Sequence, residues 1–265
     1  MPELPDVEGF KKYLDSTGLH QKIDGAVISD ERIVKEVSPQ TLRTHLEGSE
    51  MSRSYRHGKY LFAALSGGGD LVLHFGMTGF LRYAGDPSQQ PEHTRLALRF
   101  TSGAQLSSVN VRRLGEISYT GDRAAFIEEH ELGPDALDED LDRETFIEAY
   151  ASHRGSIKGA LMNQSIVAGI GNVYSDEILF QAGIDPRSKV NGLDDETLGD
   201  MYGVMRRVLR TAADHGGNPG DLPDGWLLPV VQSGGETCPG CKGKIEKAKV
   251  SGRSAHYCPE CQKHY

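Results

Sequence analysis

Cys238-Pro239-Gly240-Cys241 and Cys258-Pro259-Glu260-Cys261 contain every cysteine of the chain, two Cys-x2-Cys pairs separated by sixteen residues. Two close pairs of soft thiolate ligands at this separation are the pattern of a tetrahedral four-sulfur zinc site. Gly240 and Gly243 beside the first pair and Tyr257 before the second suit a zinc-ribbon hairpin. The competing reading is two disulfides or four unrelated thiols. Clustering of all four cysteines and the lack of a secretory context weigh against it. One Zn2+ is expected, in a structural role, because four thiolates leave no coordination position open to a substrate. A segment this short cannot bury its own core, so metal binding would supply its folding free energy. Residues 236–265 are therefore set apart as a zinc-ribbon finger.

This finger is the basic end of an acidic chain. It carries Lys242, Lys244, Lys247, Lys249, Arg253 and Lys263 against Glu236, Glu246 and Glu260, whereas the whole 265-residue sequence has a formal net charge of -9. Such a net charge gives no global attraction to a polyanion. Fields are screened within about 8–10 Å at ordinary salt, however, so a local basic face can still bind one. Hydrophobic residues at 37% and charged residues at 25% are those of an ordinary globular protein, long enough for one large domain or two smaller ones. No apolar run approaches the ~20 residues of a membrane helix. The opening Met1-Pro2-Glu3-Leu4-Pro5-Asp6 is acidic and proline-bearing, the opposite of a secretory signal. A cytoplasmic protein without signal peptide or membrane segment is expected.

Residues 1–127 read as a β-rich domain with a leading helix. In Pro5 to Gly18, Pro5 suits a first helical position, Asp6 and Glu8 suit the positive end of the dipole, and Val7, Phe10 and Leu14 share a face. From about residue 23 the pattern becomes strand and turn. Tyr60–Leu65 and Leu71–Phe75 are apolar runs separated by Ser66-Gly67-Gly68-Gly69-Asp70, and Leu96, Leu98 and Phe100 alternate with Arg95, Ala97 and Arg99. After the turn at 101–104 another strand runs to Val111. Short strands at this spacing suggest a β-sandwich or flattened barrel. The acidic stretch 128–142 leads into a helical domain, 128–235, with helices expected near 143–151, 156–163, 173–182 and 195–214. The last has Leu198, Met201, Met205, Val208 and Leu209 at helical spacing. Glycine, proline and aspartate dominate from His215 to Glu236, which reads as a loop. The fold class expected is α+β and multidomain.

Met1-Pro2-Glu3 has suggestive chemistry, although a surface tail is the bland reading. Removal of methionine before a small residue leaves a secondary amine, nucleophilic near neutral pH and able to form an iminium with a sugar aldehyde carbon. A carboxylic acid one residue away could protonate the departing sugar oxygen.

The opening Met1-Pro2-Glu3-Leu4-Pro5-Asp6-Val7-Glu8 resembles that of the formamidopyrimidine-DNA glycosylase and endonuclease VIII family. The resemblance continues through His57-Gly58-Lys59-Tyr60-Leu61, His74-Phe75-Gly76-Met77-Thr78-Gly79, Val111-Arg112-Arg113-Leu114-Gly115, Ile157-Lys158-Gly159-Ala160-Leu161-Met162 and Gly169-Ile170-Gly171-Asn172-Val173-Tyr174. It ends in Gly252-Arg253-Ser254-Ala255-His256-Tyr257-Cys258-Pro259-Glu260-Cys261. These blocks stand in family order over nearly the whole chain. The resemblance implies a bifunctional glycosylase and abasic-site lyase acting on damaged double-stranded DNA, with a β-sandwich, a helix–two-turn–helix domain and a zinc ribbon. A monomer associated with the nucleoid is expected. Pro2 would attack the anomeric carbon and Glu3 would act as acid on the ring oxygen. The Schiff base would acidify the neighbouring sugar proton, so that successive β- and δ-eliminations release both phosphates. Lys59 corresponds to the β-elimination lysine and Arg253 to the δ-elimination arginine, both cations suited to phosphate oxygens. Asn172 and Lys158 would grip phosphate around a helix start; outside the matching blocks they would read as a helix cap and a solvated lysine. Met77 and Arg112 resemble residues that fill the space of an everted nucleotide, with Leu114 at the wedge position. His93 matches a position linked to DNA contact.

The departures bear on specificity. Leu114 replaces a usual phenylalanine, Asp6 a usual glutamate and His153 a common lysine. Asn110-Val111 stands where Asp-Pro is frequent, and the stretch from Gly216 to Gly235 is shorter than the loop that closes over 8-oxoguanine in long-loop members. Trp226 offers either a stacking surface for an extruded base or a buried anchor. Two alternatives stay open: an endonuclease VIII-like preference for oxidised pyrimidines, and a catalytically silent zinc-ribbon protein that only binds DNA.

Overall fold

Short apolar-rich stretches, some alternating and some continuous, fold residues 23–120 into eight strands: β1 (Ile23–Ile28), β2 (Met51–His57), β3 (Tyr60–Leu65), β4 (Asp70–His74), β5 (Gly79–Ala84), β6 (Thr94–Phe100), β7 (Gln105–Asn110) and β8 (Glu116–Thr120). The computed structural model, which describes all 265 residues, arranges them in two antiparallel sheets of order β1-β6-β7-β5 and β2-β3-β4-β8. Leu98, Leu106 and Leu81 from the first sheet meet Leu61, Leu73 and Ile117 from the second in one core. Full burial of each such side chain stabilises by about 1.5–3 kcal/mol. This is the expected sandwich. Helix α1 (Leu4–Thr17) adds Val7 and Leu14 to that core. Two further helices were not anticipated, α2 (Pro39–Leu46) and α3 (Arg123–Glu129). Both carried local signals: the Ser38 and Asp122 side chains cap their first turns, and Pro39 stands at the first position of α2.

The chain divides into two compact units, Met1–Pro2 with Asp6–His130, and Glu3–Pro5 with Glu131–Tyr265. The second contains α4 (Arg143–Ala151), α5 (Ile157–Leu161), α6 (Asn172–Gln181), α7 (Asp195–Asp214) and α8 (Leu227–Gln232), followed by the hairpin β9 (Glu246–Val250) and β10 (Arg253–Tyr257). The apolar face of α7, with Met201, Met205 and Leu209, packs with Phe146 and Tyr150 of α4 and Ile178 of α6 in one core that also holds Leu4. The four expected helices stand at or within a few residues of their expected bounds.

One expectation fails. The stretch 215–236 is not all loop, because α8 forms within it. Its N-cap, Trp226, makes no side-chain capping bond. The cap comes instead from Glu177 on α6, whose Oε1 accepts from Leu227 N–H at 3.3 Å and whose Oε2 accepts from Leu228 N–H at 2.7 Å. A helix start supplied by a residue fifty positions away leaves no local mark. Trp226 is 8% exposed within the core. It is the buried anchor, not a stacking surface.

Candidate active site and nucleic-acid contacts

The start of α6 is built around the Glu3 carboxyl. Gly171 N–H donates to Oε2 at 2.7 Å, Val173 N–H to Oε1 at 2.8 Å and Tyr174 N–H to Oε2 at 3.1 Å. These are donors that a helix start leaves unsatisfied, and the dipole there favours negative charge. Gly171 is the N-cap because nothing larger fits. A Cβ on it would lie 2.4 Å from the Glu3 carboxyl carbon. Glu3 is 1% exposed, so the glycine-broken turn 169–172 and an acid from the other end of the chain form one buried site.

Lys158 lies beneath it and is 0% exposed. Its Nζ donates to Asn172 O at 2.9 Å, Ser175 Oγ at 2.9 Å and Asp176 Oδ1 at 2.6 Å. Burial pushes the ammonium below its ordinary pKa, and Asp176 and Glu3 act in the opposite direction. The expected phosphate grip is thereby corrected, since all three donors are committed inward. Lys158 holds the first turn of α6, and removing one partner of such a buried pair costs about 3–5 kcal/mol. Asp176 also accepts from His256 N–H at 3.0 Å through Oδ2, which ties β10 to α6. Asn172 Oδ1 is enclosed and has no hydrogen-bond partner within the protein. It borders a cavity of about 80 Å³ whose walls include Val173, Leu228, Val231, Gln232 and His256. Asp176, Glu177 and His256 were missed by sequence reasoning. The signal for the first two was an acidic pair inside the otherwise buried, largely apolar α6; His256 carried none.

In the same unit, Cys238, Cys241, Cys258 and Cys261 bring their sulfurs within 4.8 Å of one another. Cys238 Sγ and Cys261 Sγ are 3.7 Å apart, Cys241 Sγ and Cys258 Sγ 3.5 Å. Tetrahedral Zn–S bonds of about 2.3 Å would place sulfurs about 3.8 Å apart, so the four thiols fit such an ion. Arg253 opens β10 beside the tight turn at Ser251-Gly252 and is exposed.

The other unit carries Pro2 and Lys59, both half-buried, and an exposed His93 with φ of 61°. Lys59 sits in the turn between β2 and β3. Neighbouring His74 is buried enough to push its imidazole below its ordinary pKa of 6.5; Glu116 opposes this and Lys59 adds to it. Met77 is 39% exposed and Leu114 51%, with Phe80 and Val111 also exposed and Arg112 between them. Four of the six large exposed hydrophobic side chains of the chain thus lie on two adjacent loops and the start of β5, the kind of patch that marks an interaction surface.

Comparison with known proteins accounts for this set of features. Residues 1–117 match the formamidopyrimidine-DNA glycosylase N-terminal domain, 132–220 the formamidopyrimidine-DNA glycosylase H2TH domain, and 235–263 the zinc finger found in FPG and IleRS. The formamidopyrimidine-DNA glycosylase of Synechococcus elongatus is 35% identical over 277 aligned positions, covering 99% of this chain and 97% of its own. The Lactococcus lactis enzyme bound to abasic-site DNA superposes with a TM-score of 0.87 at 29% identity, covering 98% of this chain and 99% of that one. A mutant of the same enzyme bound to Fapy-dG-containing DNA gives 0.89 at 30% identity, covering 99% and 100%.

Proposed function

The chain belongs to the formamidopyrimidine-DNA glycosylase family, and on that premise we propose that it is a base-excision repair glycosylase and abasic-site lyase acting on damaged double-stranded DNA. The observation that carries this reading is the Glu3 carboxyl, fixed by three backbone N–H groups one peptide bond from Pro2. With Met1 removed, the Pro2 nitrogen attacks C1′ of the damaged nucleotide. The C1′–base bond breaks and the base leaves with the bonding pair, taking a proton from water. The Glu3 carboxylate takes the Pro2 N–H proton and passes it to the ring oxygen as the C1′–O4′ bond breaks, leaving an iminium between Pro2 and the opened sugar. The iminium draws electrons from C2′, whose proton is lost as the 3′ phosphate departs; a second elimination releases the 5′ phosphate. Lys59 and Arg253 place cations at the phosphates through these steps. Asn172, at the α6 start, donates N–H to a phosphate of the strand, with Lys158 supporting it from behind. Met77, Arg112 and Leu114 fill the space of the everted nucleotide, and His93 touches the backbone beside them.

One structural Zn2+ held by the four cysteines keeps residues 236–265 folded and Arg253 in place. The division into a catalytic sandwich (1–127), a helical DNA-binding domain (128–235) and the finger (236–265) follows these roles. The protein acts as a monomer in the cytoplasm, on nucleoid DNA; no helix is long and apolar enough to cross a membrane. For the lesion, the short, ordered 216–235 stretch favours ring-opened purines over sharp selection of 8-oxoguanine. Without a long closing loop, selectivity comes from how readily a base leaves the stack, and distorting lesions leave most cheaply.

One experiment tests both parts. Borohydride is added during single-turnover reaction with duplexes bearing a formamidopyrimidine, 8-oxoguanine or an oxidised pyrimidine. A covalent complex mapped to Pro2 is expected, formed fastest on the formamidopyrimidine. No trapping on any duplex would remove the Schiff-base mechanism. Trapping fastest on the pyrimidine would move the chain to the endonuclease VIII-like reading.

A further inference from the structure

The two loops that carry Met77, Arg112 and Leu114 are held by a frame of polar bonds that the excision chemistry does not use. Asn110, 4% exposed at the end of β7, is the joint between them. Its Nδ2 donates to Phe75 O at 3.0 Å, and its Oδ1 accepts from Leu114 N–H at 3.2 Å. Arg112 N–H donates to Thr78 Oγ1 at 3.2 Å. Gly76, with φ of +60°, lies so close to Leu114 that a Cβ would stand 2.3 Å from its carbonyl, so only glycine lets the loops meet.

Behind this joint stands one acid. Arg95 Nε donates to Asn110 O at 2.9 Å, and Arg95 Nη1 lies 3.9 Å from Asp30 Oδ2. Arg113 Nε is 3.2 Å from the same oxygen. Asp30 is itself seated by Arg32, at 2.7 Å from Nε and 2.8 Å from Nη2. A carboxylate whose side chain is 7% exposed thus balances three guanidinium groups, two of which belong to or brace the Arg112 loop. Arg113 has φ of 58°, a conformation unfavourable for a non-glycine residue that persists only where surroundings impose it. Its contact with Asp30 is such a constraint. The Arg32 guanidinium holds the Asp30 carboxyl down to about 2, so the charge is present at any working pH.

We propose that Asp30 is the positioning residue of the insertion loop, holding Arg112 and Leu114 ready to occupy the space of the everted nucleotide by anchoring Arg113 directly and Asn110 through Arg95. The proposal rests on the insertion role given above to Met77, Arg112 and Leu114. Asp30 acts through other residues and touches no substrate.

The test is Asp30→Asn, which keeps shape and removes charge, on two substrates. The first is a duplex with 2-aminopurine opposite the lesion, whose fluorescence reports filling of the space beside the orphaned base. The second is a single-stranded abasic oligonucleotide, trapped with borohydride, where there is no partner base to face. Asp30→Asn is expected to slow the fluorescence step and duplex excision about tenfold or more, the scale of a small misplacement. Single-strand trapping should be unchanged, which separates lost positioning from the fall in melting temperature that removing this carboxylate charge brings. Arg113→Gln, an exposed change that leaves Asp30 paired with Arg32, should show the same split, and the double variant should lose no more than the weaker single. Full duplex activity in Asp30→Asn, or equal loss on both substrates, overturns the proposal. A wild-type protein that traps covalently but gives no fluorescence step overturns the insertion role itself, and Asp30 loses its function with it.

Discussion

Glu3 shows how little side-chain freedom the candidate centre has. Three N–H donors fix both carboxyl oxygens, and hydrogen bonds to a charged group contribute about 1.5–3 kcal/mol each. Glu3→Gln keeps one acceptor oxygen but removes the proton donor and turns an NH2 group toward a backbone N–H. The expected outcome is loss of base excision on intact lesions by about 10²–10⁴-fold, the usual worth of a general acid. Action on preformed abasic sites, where no base has to leave, should persist; equal loss on both substrates would show that Glu3 has a broader or merely structural role. His74 offers a second test at this scale. Its folded-state pKa lies below 6.5 because burial disfavours the imidazolium. The unfolded chain therefore binds the proton more tightly. The stability His74 contributes is complete above pH 6.5 and declines as pH falls through the folded-state value. Urea unfolding of wild type and His74→Asn between pH 8 and 5 should give a shallower acid decline in the variant. Parallel curves would mean that His74 is not the group concerned.

Among the elements, the finger and α8 differ in how they are held. The finger has a small core, Cys238, Ile245 and Cys258 with Phe180 and Leu227 from outside it, so its order depends on the four thiols. Chelation of zinc, or Cys258→Ser, should abolish DNA binding while leaving the sandwich folded, because Met1–Pro2 with Asp6–His130 has its own core and no ligand residue. Differential scanning calorimetry with a DNA-binding assay checks this; active protein found free of metal by atomic absorption contradicts it. The strands, four helices and the cysteine cluster were legible in the sequence because their signals are local: alternation, 3.6-residue spacing, Cys-x2-Cys. Glu177 capping α8, Lys158 paired with Asp176, and Asp30 bracing Arg113 were not legible. Each depends on partners 18 to more than 80 residues away, and a charged residue that will be buried and paired looks like any solvated one until its partner is known.

For the whole molecule, a net charge of -9 means that affinity for DNA comes from a few placed cations against an unfavourable background. The binding constant should fall steeply with salt, its logarithm losing about 0.9 per neutralised phosphate for each unit of log salt concentration. Arg253→Gln should reduce that slope by about one phosphate and weaken binding to all sequences alike. Fluorescence anisotropy over a salt series measures this, and an unchanged slope would remove Arg253 from the phosphate contacts.

The Glu177 cap on α8 has a thermodynamic consequence. Two backbone N–H groups and the buried Leu227 and Leu228 keep the segment ordered without any ligand. A flexible loop that orders over its target surrenders conformational entropy on every productive encounter, and that loss is part of how it discriminates. Here the loss has been met during folding. Binding beside α8 should therefore carry a small heat-capacity and entropy signature for its area, with little difference between one well-fitting base and the next.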